Sequence, residues 1–266
     1  MSEFPVYQKI QSVYKRDEKG HFIDLAWTTD TFKYLADATW RWTEKVDGMN
    51  VRVAIDPCFT SGAPFTSGAP SVTFGGRTDN AQMPMPLLEH LNKLFDDPVK
   101  LVTVLTGPVV LFGEGYGGKI QKAAAMYGPD PRFIVFDIWV PDEGNAHGGF
   151  WLQPDDVFGI CNGLGLDMVP YVGLMPLRHA INRVRNRDFE SAWGKFPPEG
   201  LVGTPACQLF DRFGHRVIVK VKDRDFDQVR KEPALSTPCR DGLADPWTPG
   251  YPEEPVHLWS DGGFHE

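Results

Sequence analysis

The sequence predicts an α+β fold of short strands with a few helices, and three observations lead there. Short apolar runs with period-two alternation, bounded by Gly, Pro and polar clusters, recur along the chain. Three longer stretches carry helical spacing instead. With 42% apolar and 12% aromatic residues among 266, there is ample material for a globular core, and disorder throughout is excluded.

Residues 40–43 and 51–55 read as strands flanking a turn at Lys45, the second with clear alternation. Residues 60–70 repeat Thr-Ser-Gly-Ala-Pro twice around Phe65; such a stretch cannot continue a strand and predicts an exposed hairpin loop. Leu87, Leu88, Leu91, Leu94 and Phe95 have helical spacing, and Pro86 suits a first turn, so a core-packed helix is expected there. Residues 109–112, 133–140 and 217–221 are apolar strand candidates, and 154–164 and 176–193 read as helices. Residues 1–230 are expected to form one domain. Residues 231–266 contain six prolines and no convincing periodicity, which predicts an extended or partly ordered acidic tail.

No run approaches the roughly 18 apolar residues of a membrane span, and the N-terminus lacks a basic region followed by an apolar stretch. A cytosolic protein is expected. Cys58, Cys161, Cys207 and Cys239 lie far apart with no Cys-x-x-Cys pair, which argues against a zinc ribbon and suits core or surface thiols in a reducing compartment. The net charge of −8 has the wrong sign for neutralising phosphates. It is unevenly spread, however: residues 231–266 hold seven acidic and two basic side chains, a net of −5, leaving −3 over residues 1–230. Basic residues recur at Lys119, Lys122, Lys220, Lys222 and Arg224, which allows a local positive cleft, whereas Arg183, Arg185 and Arg187 read as a solvated helix face.

The most informative stretch is Glu44-Lys45-Val46-Asp47-Gly48-Met49-Asn50. A lysine amine, with a reference pKa of about 10.4, is mostly protonated at neutral pH and cannot attack phosphorus. Lowering that value by about 3 costs roughly 4 kcal/mol, a sum that desolvation, neighbouring cations and a metal ion can supply together. Two strands would bury the Lys45 stem, and Gly48 permits a tight turn with close approach of the backbone to a phosphate. Asp47 could orient the ammonium or hold a metal-bound water, although Asp-Gly alone is equally a hairpin turn.

Five more clusters carry related chemistry. Gly75-Gly76-Arg77-Thr78 sets a guanidinium beside flexible backbone, suited to phosphate or ribose. Phe112-Gly113-Glu114-Gly115-Tyr116-Gly117 puts one carboxylate at a strand end among glycines, and Phe136-Asp137 offers an aromatic face for a purine. Glu199-Gly200-Leu201-Val202 gives a carboxylate at a strand start, suited to a metal. Lys220-Val221-Lys222 places two lysines on one face of an apolar strand, where their repulsion calls for a polyanion or carboxylates.

This ordered set resembles the covalent nucleotidyltransferase superfamily of DNA ligases, RNA ligases and mRNA capping enzymes. It is most similar to RNA ligases of the phage T4 RNA ligase 2 type, particularly the small bacterial and phage members. Glu44 to Asn50 match the first motif with its Lys-x-Asp-Gly core, Gly76-Arg77-Thr78 the following arginine motif, and Phe112-Gly113-Glu114 the third. Phe136-Asp137-Ile138, Glu199-Gly200-Leu201-Val202 and Lys220-Val221-Lys222 match the remaining three in the correct order, and Gly113 to Lys122 resemble the small-ligase subgroup. The resemblance implies a nucleotidyltransferase fold, the ATP-grasp-like adenylation domain of ligases with antiparallel sheets flanked by helices, and a three-step reaction with ATP and Mg²⁺ or Mn²⁺. Lys45 would take AMP from ATP, pass it to an RNA 5′-phosphate, and a 3′-hydroxyl would displace it to seal the strand. It further implies that Glu44, Val46, Asn50, Arg77, Glu114, Phe136, Lys220 and Lys222 bind the nucleotide, with Glu44 and Phe136 at the adenine and the two late lysines at the α-phosphate. Glu199 and Asp47 would serve the metal, and Lys119 and Lys122 the RNA.

The chain departs from the family pattern in places. DNA ligases carry Arg where Asn50 stands and add an oligonucleotide-binding barrel, for which the 44 residues after Lys222 are too few, so RNA is favoured over DNA. The C-terminal helical domain of the larger T4-type enzyme is not matched either. Gly203-Thr204-Pro205 replaces the basic residue that commonly follows the fourth motif. End-adenylation or guanylylation without sealing, a DNA ligase, and a silent RNA-binding module stay open as alternatives; Lys45 together with the paired Lys220 and Lys222 argues against the last.

Overall fold

The computed structural model describes residues 6–57, 69–78, 81–121, 124–145 and 147–231. Along the chain the strands are β1 (Gln11–Ser12), β2 (Tyr14–Arg16), β3 (Phe22–Trp27), β4 (Thr39–Glu44), β5 (Met49–Asp56), β6 (Ser71–Gly76), β7 (Val109–Gly117), β8 (Pro131–Pro141), β9 (Gly149–Trp151), β10 (Tyr171–Pro176), β11 (Gly200–Pro205) and β12 (Val219–Lys222). The helices are α1 (Asp30–Tyr34), α2 (Met85–Leu94), α3 (Pro98–Val104), α4 (Pro154–Leu164), α5 (Leu177–Asn186) and α6 (Asp227–Lys231). Two compact units result, one from the described residues of Met1–Lys9 and Val46–Val169, the other from those of Ile10–Lys45 and Pro170–Glu266. The expected body over 1–230 thus comprises both, and the expected tail from residue 232 onward lies outside the described residues.

The unit containing Val46–Val169 is built on an antiparallel sheet of order β6-β5-β7-β8-β9. Alternation sends Val51, Val53 and Ile55 of β5 into the same core as Leu87 and Leu91 of α2 and Val157 of α4. The predicted helices hold here: Pro86 falls in the first turn of α2, and α4 runs from Pro154 to a left-handed Gly165 (φ 64°) that caps it. The repeat at 60–70 falls mostly on residues 58–68, outside the described residues, but its flanks β5 and β6 do pair antiparallel.

The other unit carries a five-stranded sheet of order β1-β12-β11-β4-β10, antiparallel except that β1 lies parallel to β12, and a separate β2–β3 hairpin. Trp40 and Trp42 of β4 are fully buried, 6.0 Å apart and stacked, in one cluster with Leu177, Ile181 and Val184 of α5. Their indole N–H groups donate to the carbonyls of Leu35 (2.8 Å) and Met175 (3.0 Å), so burial leaves neither indole N–H unsatisfied.

Three expectations change. Strands β4 and β5 belong to different sheets, so Asp47-Gly48 is not a hairpin turn; each strand finds its partners elsewhere, β4 in β10 and β11, β5 in β6 and β7. Helix α5 ends at Asn186 rather than 193, because Arg187 adopts the left-handed conformation (φ 59°) and the chain turns back. The arginines of this stretch are tied down internally: Arg185 pairs with Asp24, Arg187 binds Asp223 through two nitrogens, and Arg183 lies over the Phe189 ring. Cys161 is a buried thiol, pushed up to about 12 by burial and the nearby Asp167 charge, and Cys207 is exposed; Cys58 and Cys239 lie outside the described residues. Among the described residues no helix is long and apolar enough to cross a membrane.

Candidate active site

Strand β4 sits between β10 and β11, and its alternation separates two faces. Trp40, Trp42 and Glu44 are buried, whereas Arg41, Thr43 and Lys45 are less so. The Lys45 N–H donates to the Gly200 carbonyl (2.9 Å), continuing the β4–β11 ladder one residue past Glu44. That ladder sets Lys45 beside the start of β11, where Glu199 accepts from Lys45 Nζ at 2.5 Å and from Lys222 Nζ at 2.7 Å. One carboxylate therefore bridges two ammonium groups. All three side chains are largely buried, with 21%, 15% and 13% exposure for Lys45, Glu199 and Lys222. Burial alone would raise the Glu199 carboxyl, but the Lys45 charge and the hydrogen bonds from Lys222 and Lys45 outweigh it and hold it below the ordinary carboxylate value.

Local sequence explains the convergence. In β12, Val219 and Val221 are buried while Lys220 and Lys222 share the opposite, half-buried face, as their period-two spacing predicts. The strand is not an isolated edge, since β11 and β1 pair on its two sides. Gly200 opens β11 at φ 151°, and a Cβ there would collide with the Val221 carbonyl oxygen. Glycine thus lets β11 approach β12 closely enough for Glu199 to reach Lys222.

Glu44 faces the other way from Lys45. Its carboxylate is 3% exposed and accepts from the Ser191 hydroxyl (2.6 Å) and the Ala192 N–H (2.9 Å). Burial pushes this carboxyl above its ordinary value, and the two donors offset only part of that effect. Sequence reading missed Ser191; the turn after α5 that delivers it carries no pattern beyond a serine.

In the other unit, Asn50 on β5 and Glu114 on β7 are directly opposite in register and share a face. The Asn50 Oδ1 is buried and accepts no hydrogen bond from the described residues. A β-bulge where β8 passes Phe112 and Gly113 breaks strict alternation, so Phe136 and Asp137 come to the same side. There Tyr7 packs edge-on against Phe136 at 5.0 Å and donates its hydroxyl to Asp137 at 2.8 Å. Val46 is buried, Arg77 is exposed just past β6, and Lys119 is exposed on the turn after β7. Lys122 lies outside the described residues. The Asp47 N–H donates to the Tyr127 hydroxyl (3.1 Å). Gly48 has a different reason from the expected one: a Cβ there would meet the Gly115 carbonyl oxygen, so the glycine serves close packing against β7. Among the described residues no three His, Cys, Asp or Glu side chains gather as a ready-made metal cage.

A family model described as RNA ligase matches residues 38–222, from just before β4 to the end of β12. The chain belongs to the RNA ligase family. Its fold is similar to that of a mutant Naegleria gruberi RNA ligase solved with ATP and Mn, at 14% identity and a TM-score of 0.54, covering 86% of this chain and 60% of that one. The same enzyme solved with PPi aligns at 16% identity and a TM-score of 0.52, covering 85% and 64%. A further mutant, with AMP and Mn, aligns at 16% identity and 0.50, covering 82% and 62%. At these identities the likeness is one of fold, and this RNA ligase family member spans less than two thirds of the length of those chains. No curated protein sequence matches it.

Proposed function

We propose that this chain is an ATP-dependent RNA ligase of the phage T4 RNA ligase 2 type, which joins RNA 5′-phosphate and 3′-hydroxyl ends through an AMP carried on Lys45. Residues 1–230 form its adenylation domain and 231–266 a tail. The observation that carries the reading is the Glu199 carboxylate shared by Lys45 and Lys222. A primary amine and a second cation held around one carboxylate are what transfer to a polyanionic phosphate requires, since the anion can replace the carboxylate between them.

An amine in an ion pair has no lone pair to offer. Lys45 therefore leaves Glu199 and loses a proton to solvent before its Nζ forms a bond to the α-phosphorus of ATP, while the bond from that phosphorus to pyrophosphate breaks. Lys222, with Lys220 on the same strand face, stabilises the negative charge that builds on the α-phosphate. Asn50 offers its buried, unsatisfied Oδ1 to a ribose hydroxyl, beside Glu114; leaving that oxygen unbonded would cost about 1–3 kcal/mol. Phe136 stacks on the adenine and Arg77 serves phosphate or ribose; contact of Glu44 and Val46 with the base requires these buried side chains to be uncovered first. The AMP then passes to the RNA 5′-phosphate, and the 3′-hydroxyl displaces it; Lys119 and Lys122 hold the RNA. Glu199 and Asp47 are hard oxygen donors that fit Mg²⁺ or Mn²⁺, ions that keep several waters and take one or two carboxylates together with substrate phosphates. Such an ion, when bound, offsets charge on the triphosphate and leaving group.

Incubation with α-labelled ATP and Mg²⁺ or Mn²⁺ gives an acid-labile, base-stable label on the protein, and Lys45→Ala abolishes it. Equal labelling of that variant overturns the assignment. Nicked duplex RNA, single-stranded RNA and nicked DNA then separate sealing from activation: joined RNA supports the ligase, and adenylated ends without joined product refute the sealing step.

A further inference from the structure

We infer that the hairpin between β11 and β12 is a stacking platform for an unpaired base of the RNA, with Phe213 and Phe210 as the rings and Arg212 as the cation beside them. The inference rests on RNA being the substrate, as proposed above. The tip breaks the usual logic of a solvent turn: Phe213 is 67% exposed and Phe210 55% exposed. Arg212 lies over the Phe213 ring, 4.6 Å from its centroid.

The same unit contains an internal control. The turns Asp17-Glu18-Lys19-Gly20-His21 and Asp211-Arg212-Phe213-Gly214-His215 are built alike. In each, the Asp N–H donates to the His carbonyl at 2.8 Å and the Gly N–H donates back to the Asp carbonyl, at 2.9 and 3.0 Å. In each, the Asp carboxylate accepts from the His N–H, at 2.7 and 2.9 Å, and contacts the His ring. The glycines have φ of 82° and 80°. The turn is therefore fully made with Glu and Lys at its centre, and nothing in its construction calls for Arg and Phe. At the position just before the turn the first hairpin carries Arg16, which pairs with Asp225, whereas the second carries the exposed Phe210.

The chemistry favours RNA over a protein partner. These rings and the neighbouring Leu209 present on the order of 300 Å², well under the ~800 Å² per partner of a stable protein interface. A ring flanked by a guanidinium instead matches a nucleotide, whose base offers a π-face and whose phosphate offers the opposite charge. The tip lies past the far end of β11 from Glu199, about 20 Å at ~3.3 Å per residue, so it would engage the strand several nucleotides from the reacting end.

The test measures binding of a labelled, 5′-phosphorylated single-stranded RNA to the full chain, with adenylation of Lys45 by ATP in parallel. Phe213→Ala and Phe210→Ala are each expected to weaken RNA binding by about 5- to 150-fold and to leave adenylation unchanged. Phe213→Tyr keeps the ring and should retain affinity. Grafting the first turn's residues onto the second, Arg212→Glu with Phe213→Lys, preserves the turn and should lose it. If the wild-type protein binds and seals RNA but Phe213→Ala and the graft bind it equally well, the platform is refuted while the ligase reading stands. If they instead abolish self-association with RNA affinity intact, the tip is a contact between copies and the inference is equally refuted. If the wild-type protein binds no RNA at all, the underlying substrate assignment has failed.

Discussion

Replacing Glu199 by glutamine keeps the side chain's size and removes the one charge that Lys45 and Lys222 share. Two ammonium groups within hydrogen-bond reach of one carboxylate are roughly 4–5 Å apart. At an effective dielectric near 20 their mutual repulsion is about 3–4 kcal/mol. Losing one partner of a buried ion pair costs about 3–5 kcal/mol in general. Here the residual exposure of 13–21% lets water in and the lysine stems relax, so the expected loss is about 2–3 kcal/mol, or roughly 4–12 °C in Tm. The pH dependence has a definite sign. Because the folded Glu199 carboxyl is held below its ordinary 4.5, its contribution to stability is fully present above that value and is lost as pH falls through the lower folded one. Wild type and Glu199→Gln should thus differ most at neutral pH and converge on strong acidification. Thermal or urea unfolding followed by circular dichroism over this range measures both. Equal Tm values at pH 7, or a difference that persists undiminished in acid, would show that the bridge does not hold the two lysines.

Gly200→Ala forces a Cβ against the Val221 carbonyl at a backbone angle that L-residues avoid, and should cost about 2 kcal/mol or more and slow adenylation of Lys45; unaltered unfolding and labelling would refute the close approach of β11 and β12. Glu44 carries the opposite pH sign to Glu199. Its raised carboxyl contributes stability that is fully present below 4.5 and lost as pH rises through the folded value, so Glu44→Gln should flatten that decline in unfolding curves between acid and neutral pH. Ser191→Ala removes one donor to the buried carboxylate and should cost about 1–3 kcal/mol at pH 7; a neutral effect on urea unfolding would count against that hydrogen bond.

What could be read from the chain directly was whatever depends on near neighbours. Period two in Val219 to Lys222 assigned the lysines to one face, and Pro154 with Gly165 bracketed α4, because both rest on local geometry. The ordered motifs around Lys45, Glu114, Glu199 and Lys222 likewise carried the family, since a motif is a matter of residue type and spacing. Strand pairing was not legible. Nothing near Lys45 says that β4 joins β10 and β11 while β5 joins β6 and β7, and the local pattern suggested a hairpin. The contact between Lys45 and Glu199 spans 154 residues and that between Glu44 and Ser191 spans 147, so each exists only once the sheet register is set. The bulge that turns Phe136 and Asp137 to one side depends on register too, as does the packing that leaves Phe210 exposed. Sequence thus determined which groups are available for the chemistry. Tertiary structure alone decided which of them meet, because hydrogen-bonded register and side-chain packing act between segments that have no proximity along the chain.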